Sequence, residues 1–248
     1  MIKAPQAGAV KTRLVPPLTF EEAAALSVCF LRDTASNIAE VAALGASEGI
    51  AVYTPVGAEA SFDGLLHRDF YLLAQRGQSF GERLFHAAED LLALGFQSLC
   101  LIDSDSPTLP GTFLVDAVRW LARPGDRVVL GPSDDGGYYL IGLKRAHARL
   151  FEAITWSTDL VLGQTVERAR ELQLETSLLP AWYDVDDGES LGRLCEELFL
   201  PGRTDARRIG FKGYEAEHTR GYLARLMDSE GRERILPGKD FGRTEAVL

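Results

Sequence analysis

The stretch Leu99–Pro110, L-C-L-I-D-S-D-S-P-T-L-P, constrains this chain more than any other. Its first four residues are an unbroken apolar run, the mark of a strand buried on both faces of a parallel sheet. Asp103 and Asp105 follow at once, and Pro107 and Pro110 keep the strand from continuing. Ligands of open α/β sheets sit outside the carboxyl ends of the strands, so both acids fall where a ligand would be held. Hard carboxylate oxygens at that place suit Mg²⁺ or Mn²⁺, which take oxygen ligands and bridge to phosphates. The stretch points to a metal-dependent nucleotide or nucleotide-sugar site.

Composition narrows the alternatives. At 248 residues, 46% of them hydrophobic, the chain can bury a sizeable core as one domain, with room for an appendage. A formal net charge of −10 argues against nucleic acid as a partner, because phosphate backbones select basic faces. A small anion stays compatible, given a local cluster of Lys and Arg. Cys29, Cys100 and Cys195 stand in apolar contexts without ligand spacing, which reads as buried free thiols in a reducing compartment. No apolar run approaches the ~18 residues of a membrane span, and the N-terminus lacks the apolar core of a signal peptide. The expectation is a cytoplasmic protein with no membrane partner.

Residues 3–14 (K-A-P-Q-A-G-A-V-K-T-R-L) form a loop punctuated by Pro5 and Gly8 that carries Lys3, Lys11 and Arg13. Such a loop can wrap a pyrophosphate with backbone N–H groups and side-chain charge; it reads equally as a solvated charge cluster. Thr19 and Glu22 make a capping box for a helix to about Leu44, and Ser79 with Glu82 make another for a helix to about Leu94. Arg83 sits in the first turn of that second helix, where a cation opposes the helix dipole; a ligand or an ion-pair partner would account for it. Short strands are expected at residues 49–54 and 71–75, and an amphipathic helix at 111–122.

Gly131–Leu143 (G-P-S-D-D-G-G-Y-Y-L-I-G-L) is the second stretch with chemical content. After a strand over residues 127–130, Asp134-Asp135-Gly136-Gly137 is a turn signal and Tyr138–Leu143 a returning strand. A plain hairpin accounts for it, yet two glycines permit close approach of a ligand and two tyrosines can flank a sugar or base. Thr158 is placed to cap a helix to about Leu172, and residues 175–179 read as a strand. Trp182-Tyr183-Asp184-Val185-Asp186-Asp187 then sets three acids ahead of a helix at about 190–198. They serve either as caps or as the second metal carboxylate facing Asp105. From Pro201 onward Gly, Arg and Glu dominate, and an appended tail is expected, packing on the core or on the partner of a homodimer.

Alternating strands and helices over residues 1–200 argue an α/β sandwich with a mixed, mainly parallel sheet. Both acidic loops and the basic N-terminal loop would then share one edge. The segments V-K-T-R-L, S-F-G-E-R-L, D-S-P-T-L-P, G-P-S-D-D-G-G-Y-Y-L-I-G-L, W-S-T and W-Y-D-V-D follow one another in this order. Together they resemble the bacterial glycosyltransferase-like family found near radical-SAM genes and linked to arsenosugar biosynthesis. That family is similar in turn to 2-phospho-L-lactate guanylyltransferase and the molybdenum-cofactor nucleotidyltransferases. The resemblance implies the GT-A fold, a Rossmann-like three-layer sandwich with a divalent metal held by Asp side chains. It implies phosphate contacts from Lys11 and Arg13, with Lys3 assisting, and Arg83 near the nucleotide. Asp105 would be the main metal ligand and Asp186, or Asp184, the second. Asp135, Gly136, Gly137 and Tyr138 would line the acceptor side, with Trp156 helping to wall it.

Two departures matter. Where the family carries a small residue this chain has Asp103, making a literal Asp-x-Asp, so that Asp103 either joins the candidate metal ligands or points away. The family also opens with a full apolar strand before its Lys-x-Pro, whereas Met1-Ile2 alone precede Lys3 here. The expectation is a start placed late or a damaged nucleotide pocket. The expected reaction is sugar transfer from a nucleotide-diphospho-sugar to a small-molecule acceptor, with Asp135 the base if one is needed. Nucleotidyl transfer from an NTP, releasing pyrophosphate, is the alternative on the same scaffold. A non-catalytic nucleotide-binding or regulatory homologue is the third reading.

Overall fold

The computed structural model describes residues 1–45, 47–200 and 210–235. In chain order its elements are β1 (Ile2–Lys3), α1 (Phe20–Ala42), β2 (Ile50–Thr54), β3 (Tyr71–Ala74), α2 (Phe80–Ala93) and β4 (Leu99–Ile102). Then come α3 (Gly111–Leu121), β5 (Arg127–Pro132), β6 (Tyr138–Leu143), α4 (Val161–Glu171), β7 (Glu175–Leu178), α5 (Gly188–Phe199), α6 (Glu217–Glu230) and α7 (Arg232–Ile235). Both capping boxes form, at Thr19 with Glu22 and at Ser79 with Glu82, and they fix where α1 and α2 begin. Thr158 differs from expectation. Its hydroxyl accepts from Leu160 N–H at 3.3 Å and donates to Thr155 O at 2.7 Å, so it builds the turn ahead of α4 rather than the cap.

The strands lie in the orders β1-β2-β3 and β4-β6-β5-β7. The first three pair in parallel, and so do β5 and β7; β6 runs antiparallel between β4 and β5. Helices cover both faces, and strand alternation divides the core accordingly. Leu99, Leu101, Val128 and Leu130 pack towards α2, while Cys100, Ile102 and Val129 pack towards α1 and α3. β4 departs from the parallel, doubly buried strand its apolar run predicts: its ladder is antiparallel, to β6, at one end of that strand order, and while Leu99 and Leu101 are buried, Cys100 and Ile102 are half-buried along a cavity.

β1 is short and pairs only with the carboxyl end of β2. Ahead of it, β2 and β4 face each other across a cavity of about 650 Å³ lined by Ile50, Val52, Cys100, Ile102 and Leu121 among others. The Met1 ammonium donates to Ile102 O at 2.7 Å and links the two sheets at that point.

Residues 210–235 pack on the core. Tyr214 N–H donates to Thr108 O at 2.9 Å, and α6 sets Leu223, Leu226 and Met227 into the cluster built by α1. The remaining positions of the expected tail lie outside the described residues. Asp33 of α1, itself buried, accepts from His218 N–H at 3.0 Å and Thr219 N–H at 2.8 Å and so caps α6 from across the fold. Asp33→Ala is expected to lower the stability of the chain by about 1–3 kcal/mol in urea unfolding, through two orphaned N–H groups. Asp33→Asn, which keeps one acceptor oxygen, should cost less; an equal loss would refute the capping account.

Candidate functional site

The acidic loop after β4 and the segment 182–186 after β7 meet at the carboxyl edge of the sheet. Trp182 N–H donates to Pro132 O at 3.0 Å and Asp134 N–H to Trp182 O at 3.0 Å, strapping the segment along the end of β5. Val185 N–H donates to Asp105 O at 2.9 Å and ties the two acidic loops together. The three acids of the segment then divide their work. Asp187 caps α5 in a reciprocal box with Ser190, Asp184 accepts from Ser133 Oγ at 2.9 Å, and Asp186 faces the N-terminal loop.

Lys11 and Arg13 come to these acids from the other end of the sequence. Lys11 Nζ lies 2.8 Å from Asp105 Oδ1, 2.9 Å from Asp186 Oδ1 and 2.8 Å from Val185 O. Arg13 Nη2 donates to Asp186 Oδ2 at 2.6 Å. Burial pushes the Lys11 pKa down, but Asp105 and Asp186 outweigh it and hold it above that of an ordinary lysine. Burial likewise pushes Asp186 up, and Lys11 and Arg13 overcome this to hold it below the usual carboxylate range. Asp103 turns back into its own loop, accepting from Asp105 N–H at 3.4 Å and Ser106 Oγ at 3.2 Å. Burial, then the charges of Asp105 and Asp184, push its carboxyl well above the usual range. Asp184 is also raised, by burial and then by Asp135 and Asp186.

A pH dependence follows with a definite sign. Asp186, depressed when folded, stabilises the protein above its unfolded pKa of 3.8 and ceases to as pH falls through its lower folded value. Lys11, raised when folded, stabilises it below 10.5 and ceases to as pH rises through its higher folded value. The stability difference between this chain and its Asp186→Asn variant, from urea curves, should therefore be flat around neutral pH. It should shrink below 3.8 and again above 10.5. A difference that shrank near pH 6 would refute the pairing.

None of the other expected residues is bonded to Lys11, Asp105 or Asp186. Arg83 lies 6.0 Å from the Phe80 ring, and Phe80 meets Trp156 edge-on at 5.0 Å. Gly81 is needed beneath that indole, since a Cβ there would stand 3.0 Å from Trp156 Nε1 and 2.6 Å from Phe151 O. Asp135 Oδ1 accepts from Gly137 N–H at 2.8 Å and closes the β5–β6 turn. At Gly136 (φ +89°) a Cβ would meet Asp159 O at 2.4 Å, so the close approach it permits is to backbone of the 156–159 loop. Tyr138 packs against the α2-side cluster, and its hydroxyl is buried. Lys3 Nζ donates to Ala9 O at 2.7 Å, folding the loop onto itself. Sequence reasoning missed Ser133 and the Val185 carbonyl. Ser133 directly precedes the Asp134-Asp135 turn and was within reach; a backbone carbonyl leaves no sequence signal.

Among the described residues no group of three or more His, Cys, Asp and Glu side chains is gathered to hold a metal ion. Asp105, Asp186 and the Val185 carbonyl nonetheless direct three oxygens at one point, where Lys11 Nζ sits. Two carboxylates and a carbonyl are hard donors of the kind Mg²⁺ or Mn²⁺ uses when phosphates complete the shell, so the donor set suits such an ion.

With this geometry in place, comparison with known proteins defines the class. A crystal structure of a candidate nucleotide-diphospho-sugar transferase from Desulfovibrio desulfuricans G20 is similar over 94% of this chain and 95% of that one, with 29% identity and a TM-score of 0.76. The fold is accordingly GT-A-like, that of nucleotide-diphospho-sugar transferases. A family model described as an uncharacterized protein conserved in bacteria (DUF2064) matches residues 37–158. That span takes in Asp105 and the β5–β6 turn but neither Lys11 nor Asp186. No curated protein matches the chain. No helix among the described residues is long and apolar enough to cross a membrane.

Proposed function

We propose that this chain is a transferase that takes a nucleotide-diphospho-sugar donor, with the diphosphate seated over Lys11, Arg13, Asp105 and Asp186. One observation carries the reading: side chains 175 positions apart, Lys11 and Asp186, converge with Asp105 at the carboxyl edge of the sheet, where α/β folds bind ligands. The likeness to the D. desulfuricans protein supports it. Lys11 and Arg13 hold the diphosphate by charge-assisted hydrogen bonds and stabilise the charge that develops as it leaves. Asp105 and Asp186 would hold Mg²⁺ or Mn²⁺, which supplies Lewis-acid stabilisation of the same charge. Asp135, on the exposed turn, takes the proton of the acceptor hydroxyl. Trp156, beside the β5–β6 turn that carries Asp135, would help wall the acceptor side.

A thermal-shift panel tests this: UDP-, GDP- and dTDP-sugars and the four NTPs, each with and without Mn²⁺. A ligand at about 100 times its Kd stabilises the native state by about 2.7 kcal/mol, a readily measured rise in midpoint. A metal-dependent shift with one diphosphate sugar is the expected result. A shift with an NTP and no sugar nucleotide would replace sugar transfer by nucleotidyl transfer. Silence throughout would leave a non-catalytic homologue.

A further inference from the structure

Lys11 is held like a bound cation. Its three ammonium hydrogens have three acceptors, one oxygen each from Asp105, Asp186 and Val185, at 2.8, 2.9 and 2.8 Å. The side chain is 6% exposed, and Nζ lies 5.5 Å from the centre of the Phe30 ring. The backbone at Lys11 is left-handed (φ 50°), an uncommon conformation for a side chain of this kind, and it sets the start of the single-turn helix Thr12–Leu14. Burying an ammonium is tolerable only with such full pairing. The same three oxygens are of the type that bind a divalent cation, and an ion held by all three would need the point that Lys11 Nζ occupies, on the side of the pair away from Arg13, which bonds the other oxygen of Asp186.

We propose that Lys11 is a resident counter-ion sharing one seat with a divalent cation. Either the ammonium or the metal occupies the Asp105–Val185–Asp186 seat, and entry of the metal turns Lys11 out towards the donor diphosphate. This rests on reading the site as one for a metal and a diphosphate, but its test needs no nucleotide. A seat filled by the lysine in nine molecules of ten weakens apparent metal affinity about tenfold.

The experiment is a Mn²⁺ titration of the full chain followed by electron paramagnetic resonance of the free ion, comparing the wild type with Lys11→Met, which keeps the apolar stem and removes the charge. Lys11→Met is expected to bind Mn²⁺ about tenfold more tightly, and Asp105→Asn added to it should abolish the gain. Lys11→Met leaves Arg13 as the remaining cation on Asp186 and takes the counter-ion from Asp105; if it unfolds alone, recovery of its folded circular dichroism on adding Mn²⁺ supports the same conclusion. A second measurement uses the wild type only: acetylation of Lys11, read by mass spectrometry, should be slow without metal and faster with Mn²⁺, with Lys3 unchanged. Binding by Lys11→Met that is equal, weaker or absent overturns the proposal, and so does Lys11 acetylation indifferent to saturating Mn²⁺. Loss of sugar-nucleotide binding alongside the expected metal results would instead sink the donor reading alone.

Discussion

Trp182→Ala is expected to destabilise the protein by about 3–5 kcal/mol, a fall in melting midpoint on the order of 10 °C. Trp182 is among the largest fully buried side chains, at 1% exposure, and sits between the core and the site. Its ring meets Phe113 edge-on at 5.8 Å, and its Nε1–H donates to Thr108 Oγ1 at 3.3 Å. Truncation removes the apolar contacts, leaves a cavity, and takes from the buried Thr108 hydroxyl its donor, leaving it only the bond to Tyr183 Oη at 3.4 Å. The effect reaches the chemistry because Trp182 anchors the strap whose next four residues include Asp184 and Asp186. Trp182→Phe, which fills much of the space but lacks the N–H, should cost about 1–2 kcal/mol. Thermal and urea unfolding would decide it: a loss of under 1 kcal/mol for Trp182→Ala would show that the strap is held elsewhere.

Asp105→Asn should lower the affinity for the sugar-nucleotide donor in the presence of Mn²⁺ about a hundredfold, with the fold retained. The substitution keeps shape and removes one charge. Lys11 retains Asp186 and the Val185 carbonyl, and the backbone bond from Val185 N–H to Asp105 O is unaffected. What is lost is half of the carboxylate pair proposed to hold the metal beside the donor diphosphate. Isothermal titration with and without metal separates the terms: in Asp105→Asn the two affinities should become nearly equal. Unchanged metal dependence would move the metal seat away from Asp105.

Much of the architecture was legible in local patterns. The apolar run Leu99–Ile102 followed by acids and prolines marked β4 and the loop at its end but not its pairing, since the run read as a parallel strand and its ladder is antiparallel, to β6. The two Ser/Thr-x-x-Glu boxes located the starts of α1 and α2, since the orphan N–H groups of a helix are met by residues three positions apart. The Asp-Asp-Gly-Gly turn with its returning strand was likewise visible, and β6 pairs antiparallel on both sides. Each of these signals lives within a dozen residues.

Partners across the fold were not legible. Three acids in four residues looked alike in sequence, yet Asp187 went to a helix cap, Asp184 to Ser133 and Asp186 to Lys11 and Arg13. Gly136 promised space for a ligand and spends it on the backbone of Asp159, while Tyr138, two positions on, lies half-buried against the α2-side cluster. Sequence alone determined the elements and the kinds of chemical groups at their ends, because hydrogen bonding within helices and the alternation of strands are local. Only the tertiary structure decided which cation meets which carboxylate, because that choice is made by the packing that brings residue 11 against residues 105 and 186.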